Sequence, residues 1–182
     1  MKVNVLSEHG YDEAILGLSL SYNIAISAAE TVALTLAPKG KGHNKFLESI
    51  CVWLDIDAPR SWWQQFDTYR TGMTKQSEST MHTLLRRELT IYDFDSEEIS
   101  PVSIEEVNKR IRAKNFLGAK DNLPESFLQR RVACTNYKAL RNIYSQRLTH
   151  RIHQWQQFIS DTYKHLQHKE FLDDILTSLH RS

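Results

Sequence analysis

A chain of 182 residues that is 41% hydrophobic and 10% aromatic has material for one domain, 1–182, with a substantial core. A formal net charge of +1 lacks the bias of a dedicated nucleic-acid binder or a polybasic membrane module. No apolar run approaches the roughly 20 residues of a membrane span, and the N-terminus lacks a signal-peptide layout. Cys51 and Cys134 lie far apart in the chain with no metal-site spacing, so a cytoplasmic protein with Cys51 as a buried thiol is expected.

In chain order, Lys2 to Leu6 alternates polar and apolar residues and predicts a short strand. A helix should begin near Tyr11, with Asp12 and Glu13 at its positive end, and its Ser-rich tail weakens it beyond Ser19. A second helix is expected over Ala28 to Leu36, with Ser27 as N-cap and Glu30 at the capping-box position. The PKGKGH run, Pro38 to His43, breaks the pattern. Its glycines and lysines suit a phosphate cradle, but Walker spacing is missing, and a surface loop is the plainer reading.

Asn44 to Glu48 reads as a helical turn, and Ile50 to Ile56 as a strand with apolar residues on both faces, hence a central one. Asp57 is placed as the N-cap of an aromatic helix, with Pro59 in its first turn and Trp62, Phe66 and Tyr69 on a buried face. The polar stretch after Arg70, rich in Ser, Thr, Lys and Gln, reads as a ligand loop. Thr80 to Phe94 fits either a helix through Leu84, Leu85 and Leu89 or a strand ending in LTIYDF. An acidic loop, Asp95 to Ser100, precedes a helix over Ser103 to Lys114, capped by Ser103 and Glu106. Gly118 to Pro124 is expected as a loop.

The C-terminal third should be helical. Tyr137, Leu140, Tyr144 and Leu148 make one core stripe, Ile152, Trp155, Ile159, Tyr163 and Leu166 a second, and Phe171, Leu172, Ile175, Leu176 and Leu179 a third. His150 with His153 and His165 with His168 have helical spacing but no acidic or cysteine partner patterned around them, so no metal site is expected. Pattern alone therefore defines a mixed α/β domain with a polar loop after a buried strand and helix.

From His43 to His82 the chain resembles flavin-dependent thymidylate synthases. His43, Leu47 and Glu48 precede the strand ICVWLDI, as a His and a Leu-Glu pair do in that family. APRSWWQQFDTYR stands for a helix ending in Gln, two apolar residues and an Arg-His-Arg triplet, so Gln65 matches the Gln and Thr68, Tyr69 and Arg70 the triplet. Ser79, Thr80, Met81 and His82 stand for a Ser-Gly-Arg-Tyr element. Downstream, Asn136 opens NYKALRNIYSQRL, Arg147 matches the family's arginine, and Ile152 to Gln156 replace a His-Ala-Gln-Trp-Glu run; Ser21 and Tyr22 are similar to its N-terminal Ser-Tyr segment.

The resemblance implies an α/β (α+β) fold with a mixed or antiparallel central sheet flanked by helices, assembled as a homotetramer with active sites shared between subunits. It implies FAD as cofactor and dUMP as substrate, with methylenetetrahydrofolate and NADPH as co-substrates and no protein nucleophile. Arg147 would polarise the pyrimidine; Arg70, Asn136 and His43 would hold the flavin; Gln65, Ser79 and Gln154, with Arg147, would hold the nucleotide. Thr68, Tyr69 and Met81 remove positive charges that the family uses, and Arg86 or Arg87 is a potential substitute for the lost phosphate contact. Two further readings accommodate the same residues. One is a non-catalytic nucleotide- or partner-binding member of the fold. The other is a nucleic-acid module built on Arg130, Arg131, Lys138, Arg141, Arg147 and Arg151 interleaved with Tyr137 and Tyr144, which the neutral charge balance disfavours.

Overall fold

The computed structural model describes residues 1–95 and 98–177. It runs β1 (Lys2–His9), α1 (Tyr11–Tyr22), α2 (Ile26–Leu36), a 3₁₀ turn (Lys45–Glu48), β2 (Cys51–Pro59), α3 (Arg60–Phe66), β3 (Thr74–Ser77) and α4 (Thr80–Thr83). A second 3₁₀ turn (Ile91–Asp93) leads to α5 (Pro101–Arg112), α6 (Phe116–Asp121), β4 (Leu128–Asn136), α7 (Tyr137–Arg147) and α8 (His153–His165), then a third 3₁₀ turn (Lys169–Leu172) and α9 (Asp173–Thr177). The strands form an antiparallel sheet in the order β1-β2-β4-β3, so the apolar strand β2 is central, as its two apolar faces require.

The chain forms two compact units, one of residues 1–2, 56–68 and 76–132, the other of residues 3–55, 69–75 and 133 onward. In the first unit, Leu84, Leu89, Phe94, Val107, Ile111, Ala119 and Leu123 make the core, flanked by Ile104, Phe116 and Phe127. The α3 aromatics pack together: Trp62 stacks on Phe66 at 4.7 Å, and Trp63 meets both edge-on. Trp63 Nε1 donates to Gln129 O at 2.8 Å, while Arg131 lies 4.3 Å over the Trp63 ring and reaches Asp67 at 3.0 Å. Asn108 satisfies the Leu89 turn, its Oδ1 accepting from Leu89 N at 2.7 Å and its Nδ2 donating to Leu89 O at 2.9 Å.

In the second unit, α1 and α2 bury the small side chains Ala14, Ala29 and Ala33, which let the two helices approach closely. Tyr137, Leu140, Ile143 and Tyr144 on α7 face Trp155, Phe158 and Ile159 on α8 and the Phe171–Leu172 turn in a fully buried cluster. Gly10 makes the β1–α1 turn at φ 91°, where an added Cβ would stand 2.3 Å from the carbonyl oxygen of Ser49. That position needs glycine for both conformation and space.

Several elements differ from the sequence reading. The second helix begins at Ile26, not Ala28, so Ser27 lies inside it and does not cap it. Asp57 is a residue of β2, and α3 starts after Pro59, because the apolar strand continues through Ala58. The polar loop after Arg70 contains β3, and Thr80 to Phe94 holds only α4 and a 3₁₀ turn rather than one long element. α5 starts at Pro101 with Ser100 as N-cap, whose hydroxyl accepts from Val102 N at 3.3 Å; proline at N1 fixes the boundary. Gly118 to Pro124 is largely helical, since Asn115 caps α6 through Gly118 N at 2.9 Å. β4 interrupts the helical C-terminal third: its QRRVACTN text has little apolar alternation, and sheet pairing rather than pattern makes it a strand. Cys51 is half-buried, not buried, and neighbours Cys134 on β4; burial, then Cys51, pushes the Cys134 thiol up. The basic residues do not share one helix face, because Arg130 and Arg131 lie on β4 while Arg141, Tyr137 and Tyr144 are buried. Leu179 and the Ser96–Glu97 part of the acidic loop lie outside the described residues.

Two substitutions test this packing. Trp62→Ala should cost roughly 3–5 kcal/mol in chemical denaturation, because the ring is almost wholly enclosed. At Asp57 burial is the main cause of a raised carboxyl pKa, opposed by the N-terminal ammonium, Lys2 and Arg130 and reinforced by Glu78. The folded state therefore holds that proton to higher pH than the unfolded chain, and stability falls as pH rises through the window between the two values. Asp57→Asn should flatten that decline and raise the melting temperature at neutral pH, as a pH series of thermal melts would record.

Candidate functional site

Five of the seven predicted site residues lie in the second unit, and three of them, Asn136, Arg147 and Arg70, lie on the α7 cap, α7 and the segment 69–75. Asn136 caps α7, its Oδ1 accepting from Ala139 N at 2.9 Å. Gly72, at φ 68°, lies against the same amide, where an added Cβ would come within 2.5 Å of Asn136 Nδ2. At the other end of α7, Arg147 Nε donates to Tyr69 Oη at 2.8 Å, and Tyr69 Oη donates to Gln146 Oε1 at 3.0 Å. The Arg147 guanidinium lies 4.7 Å from the Trp155 ring and 5.5 Å from the Tyr69 ring, a cation–π setting. Through side chains, Tyr69 meets the C-terminal end of α7 and Gly72 the Asn136 cap at its N-terminal end, with Arg70 between them in sequence. Arg70 is exposed and has no ion pair among the described residues.

A cavity of about 640 Å³ opens in the same unit between α1 and the turn before β2, lined by Ser21, Tyr22, Gly42, His43, Lys45 and Glu48 among others. Gly17 and Gly42 leave its wall open, as a Cβ at either would meet nothing within 4 Å. Glu48 on its rim pairs with Lys138 on α7, and Tyr137 N donates to Ile50 O at 3.2 Å. The cavity and the α7 N-terminus are therefore contiguous. The PKGKGH run, read from sequence as a loop, contributes Gly42 and His43 to this lining.

His43, Asn136, Arg70, Arg147 and Gln154 all belong to the second unit, and Gln154 sits half-buried on α8 beside Trp155. Gln65 and Ser79 belong to the first unit. Gln65 lies in the last turn of α3, with its carbonyl accepting from Thr68, and Ser79 precedes α4, with its carbonyl accepting from His82 N and Thr83 N. Met81 is 70% exposed. Tyr69, read from sequence as a core residue, is a direct partner of Arg147; spacing could not reveal this because the helix ends at Phe66. Lys45 and Gly72 were likewise missed, although the glycine-lysine composition near residue 42 was a signal. His150 beside Arg147 has its pKa lowered by burial and by Arg147 and Arg151, and its Nδ1 accepts from Ile152 N at 3.2 Å. No group of three or more metal-ligating side chains occurs among the described residues, and no single helix there is long and apolar enough to cross a membrane.

No family model matches the chain, and no curated protein matches its sequence. Solved structures do match its fold. Thymidylate synthase X from Helicobacter pylori, solved with FAD and dUMP, is similar over 97% of this chain and 99% of its own, with a TM-score of 0.80 and 16% identity. Flavin-dependent thymidylate synthase ThyX from the same organism, complexed with FAD and dUMP, is similar over 96% and 99%, again with a TM-score of 0.80 and 16% identity. The chain has the fold of a flavin-dependent thymidylate synthase over nearly its whole length, as the resemblance implied.

Gly72→Ala and Asn136→Ala should each destabilise the protein by about 1–2 kcal/mol. Because the two groups pack on each other, the double variant should lose less than the sum; additive melting data would mean that the segment and the α7 cap are independent.

Proposed function

We propose that this chain is a divergent flavin-dependent enzyme acting at C5 of a pyrimidine deoxynucleotide, dUMP or a close relative. The observation that carries the reading is Arg147, an arginine held by Tyr69 and Trp155 on a fold whose solved examples were crystallised with FAD and dUMP. Its position is fixed before any substrate arrives. A preorganised guanidinium of this kind stabilises negative charge that develops on a ring carbonyl without reorganising during the reaction.

The residues present fit a flavin dinucleotide. Arg70 offers an unpaired guanidinium fork suited to phosphate. Asn136 offers an amide fixed by its cap, and His43 and Lys45 line the contiguous cavity. A bound flavin would supply the hydride, with NADPH reducing it and methylenetetrahydrofolate providing the carbon. Within the second unit, Arg147 and Gln154 are assigned to the nucleotide. Met81 in place of the phosphate-gripping arginine should weaken that binding by around 1.5–3 kcal/mol. Arg87 does not replace the contact, since it is committed to Asp93 through both guanidinium nitrogens.

A homotetramer is part of the proposal. Leu16, Leu20, Tyr22, Ile26 and Leu34 are exposed on α1 and α2, an apolar face of the kind that subunit association covers.

The first test is an absorbance spectrum of the purified protein after FAD is added and the excess removed. Stoichiometric flavin bands are expected, followed by dUMP-dependent turnover that Arg147→Ala abolishes without shifting the melting temperature by more than a few degrees. Retained nucleotide binding with no flavin would instead identify a non-catalytic nucleotide-binding protein on this fold. Normal turnover in the Arg147 variant would remove the catalytic assignment.

A further inference from the structure

α7 ends at Arg147 and α8 begins at His153, so residues 148–152 join them. A helix end leaves its last carbonyls without partners inside the helix. Here one side chain from α8 gathers the carbonyls of the junction. Gln156 Nε2 donates to His150 O at 2.6 Å, to Leu148 O at 3.2 Å and, at the longer distance of 3.4 Å, to Arg147 O. Three carbonyl oxygens around one atom of the amide require its nitrogen, because a second oxygen there would only repel them. The junction is also tied from within. His150 N donates to Arg147 O at 3.0 Å, and Ile152 N donates to His150 Nδ1 at 3.2 Å.

The same two helices meet again through side chains. Trp155, fully buried and adjacent to Gln156, has the Arg147 guanidinium 4.7 Å over its ring. Tyr69 meets Trp155 edge-on at 6.0 Å and accepts from Arg147 Nε at 2.8 Å. Consecutive residues of α8 therefore hold Arg147 twice, by its main chain through Gln156 and by its side chain through Trp155. A cation–π contact is lost once the cation moves beyond about 6 Å from the ring centre. The spacing of α7 and α8 at this end thus decides whether Arg147 keeps its pose.

We infer that Gln156 is a positioning residue: by donating to the junction carbonyls it holds the end of α7 against α8 and so fixes Arg147 between Tyr69 and Trp155. It acts through the main chain and needs no contact with a ligand. Its effect on turnover rests on the reading of Arg147 as the group that acts on the nucleotide. The pose itself belongs to the free protein and does not rest on that reading.

The test is a nitrogen–proton correlation spectrum of the arginine Nε–H groups in the full-length protein, with Arg147→Lys identifying the Arg147 signal. An Nε–H bonded to a phenol and held over an indole should exchange slowly with water and be displaced by the ring current. Gln156→Met, which keeps the length and removes the donor, should return that signal to the position of free arginines and lower the melting temperature by roughly 3–8 °C. It should also lower kcat roughly 10–100-fold with KM little changed. Gln156→Lys, which still donates to carbonyls at a helix end, should retain the displaced signal. A fall in melting temperature with the Arg147 signal unmoved would make Gln156 an ordinary helix cap and overturn the proposal. So would an equal change of the signal in Gln156→Lys. Should Gln156→Met fail to fold, Gln156→Asn, too short to reach the junction, is read in the same way. A wild-type protein without turnover, whose Arg147 signal nevertheless responds to Gln156 as described, would overturn the enzyme reading alone and support the positioning role.

Discussion

The phase of α7 is the constraint on which the second unit depends. Arg141 is buried in its middle, and its guanidinium forks onto Asp174 at 2.6 and 2.7 Å while also donating to the carbonyl of Phe171. A buried guanidinium left without these partners would be strongly destabilising, so the helix has one rotational setting. Leu140, Ile143 and Tyr144 then face the core, and Arg147, one heptad after Leu140, emerges from the end of the same stripe. Its stem leaves the apolar face and its head meets Tyr69 and Trp155. A core stripe and Arg147, the arginine proposed to act on the nucleotide, are thus consecutive parts of one helix face.

Tyr69 stands where the resemblance expects a histidine, yet it keeps a polar atom at the Arg147 side chain and adds an aromatic wall that the cation can use. Arg70 is exposed beside it, and Lys45 lines the adjoining cavity.

The first unit is held differently, by aromatic packing and by side chains that satisfy backbone. Trp63 bonds to Gln129 O, Arg60 Nη1 to Leu123 O at 2.9 Å, and Asn108 to both backbone groups of Leu89. Its short helices could not persist alone. Such elements carry weak periodicity, and here the sequence reading placed boundaries wrongly or left the choice open, as at Thr80 to Phe94 and Gly118 to Pro124.

Sequence by itself determined the apolar central strand β2, the helices whose stripes are long enough to repeat, and the α7 and α8 cores, because hydrophobic period is a local property of the chain. It also carried the resemblance that anticipated the fold. Only the tertiary structure decided that Leu128 to Asn136 is a strand, since its pairing partner lies some 75 residues away and its own residues are mostly polar. Tertiary packing likewise made Tyr69 the partner of Arg147, Gly72 the neighbour of Asn136, and Asp57 a strand residue rather than a cap. Each of these depends on contacts between segments distant in sequence, for which a local pattern holds no record.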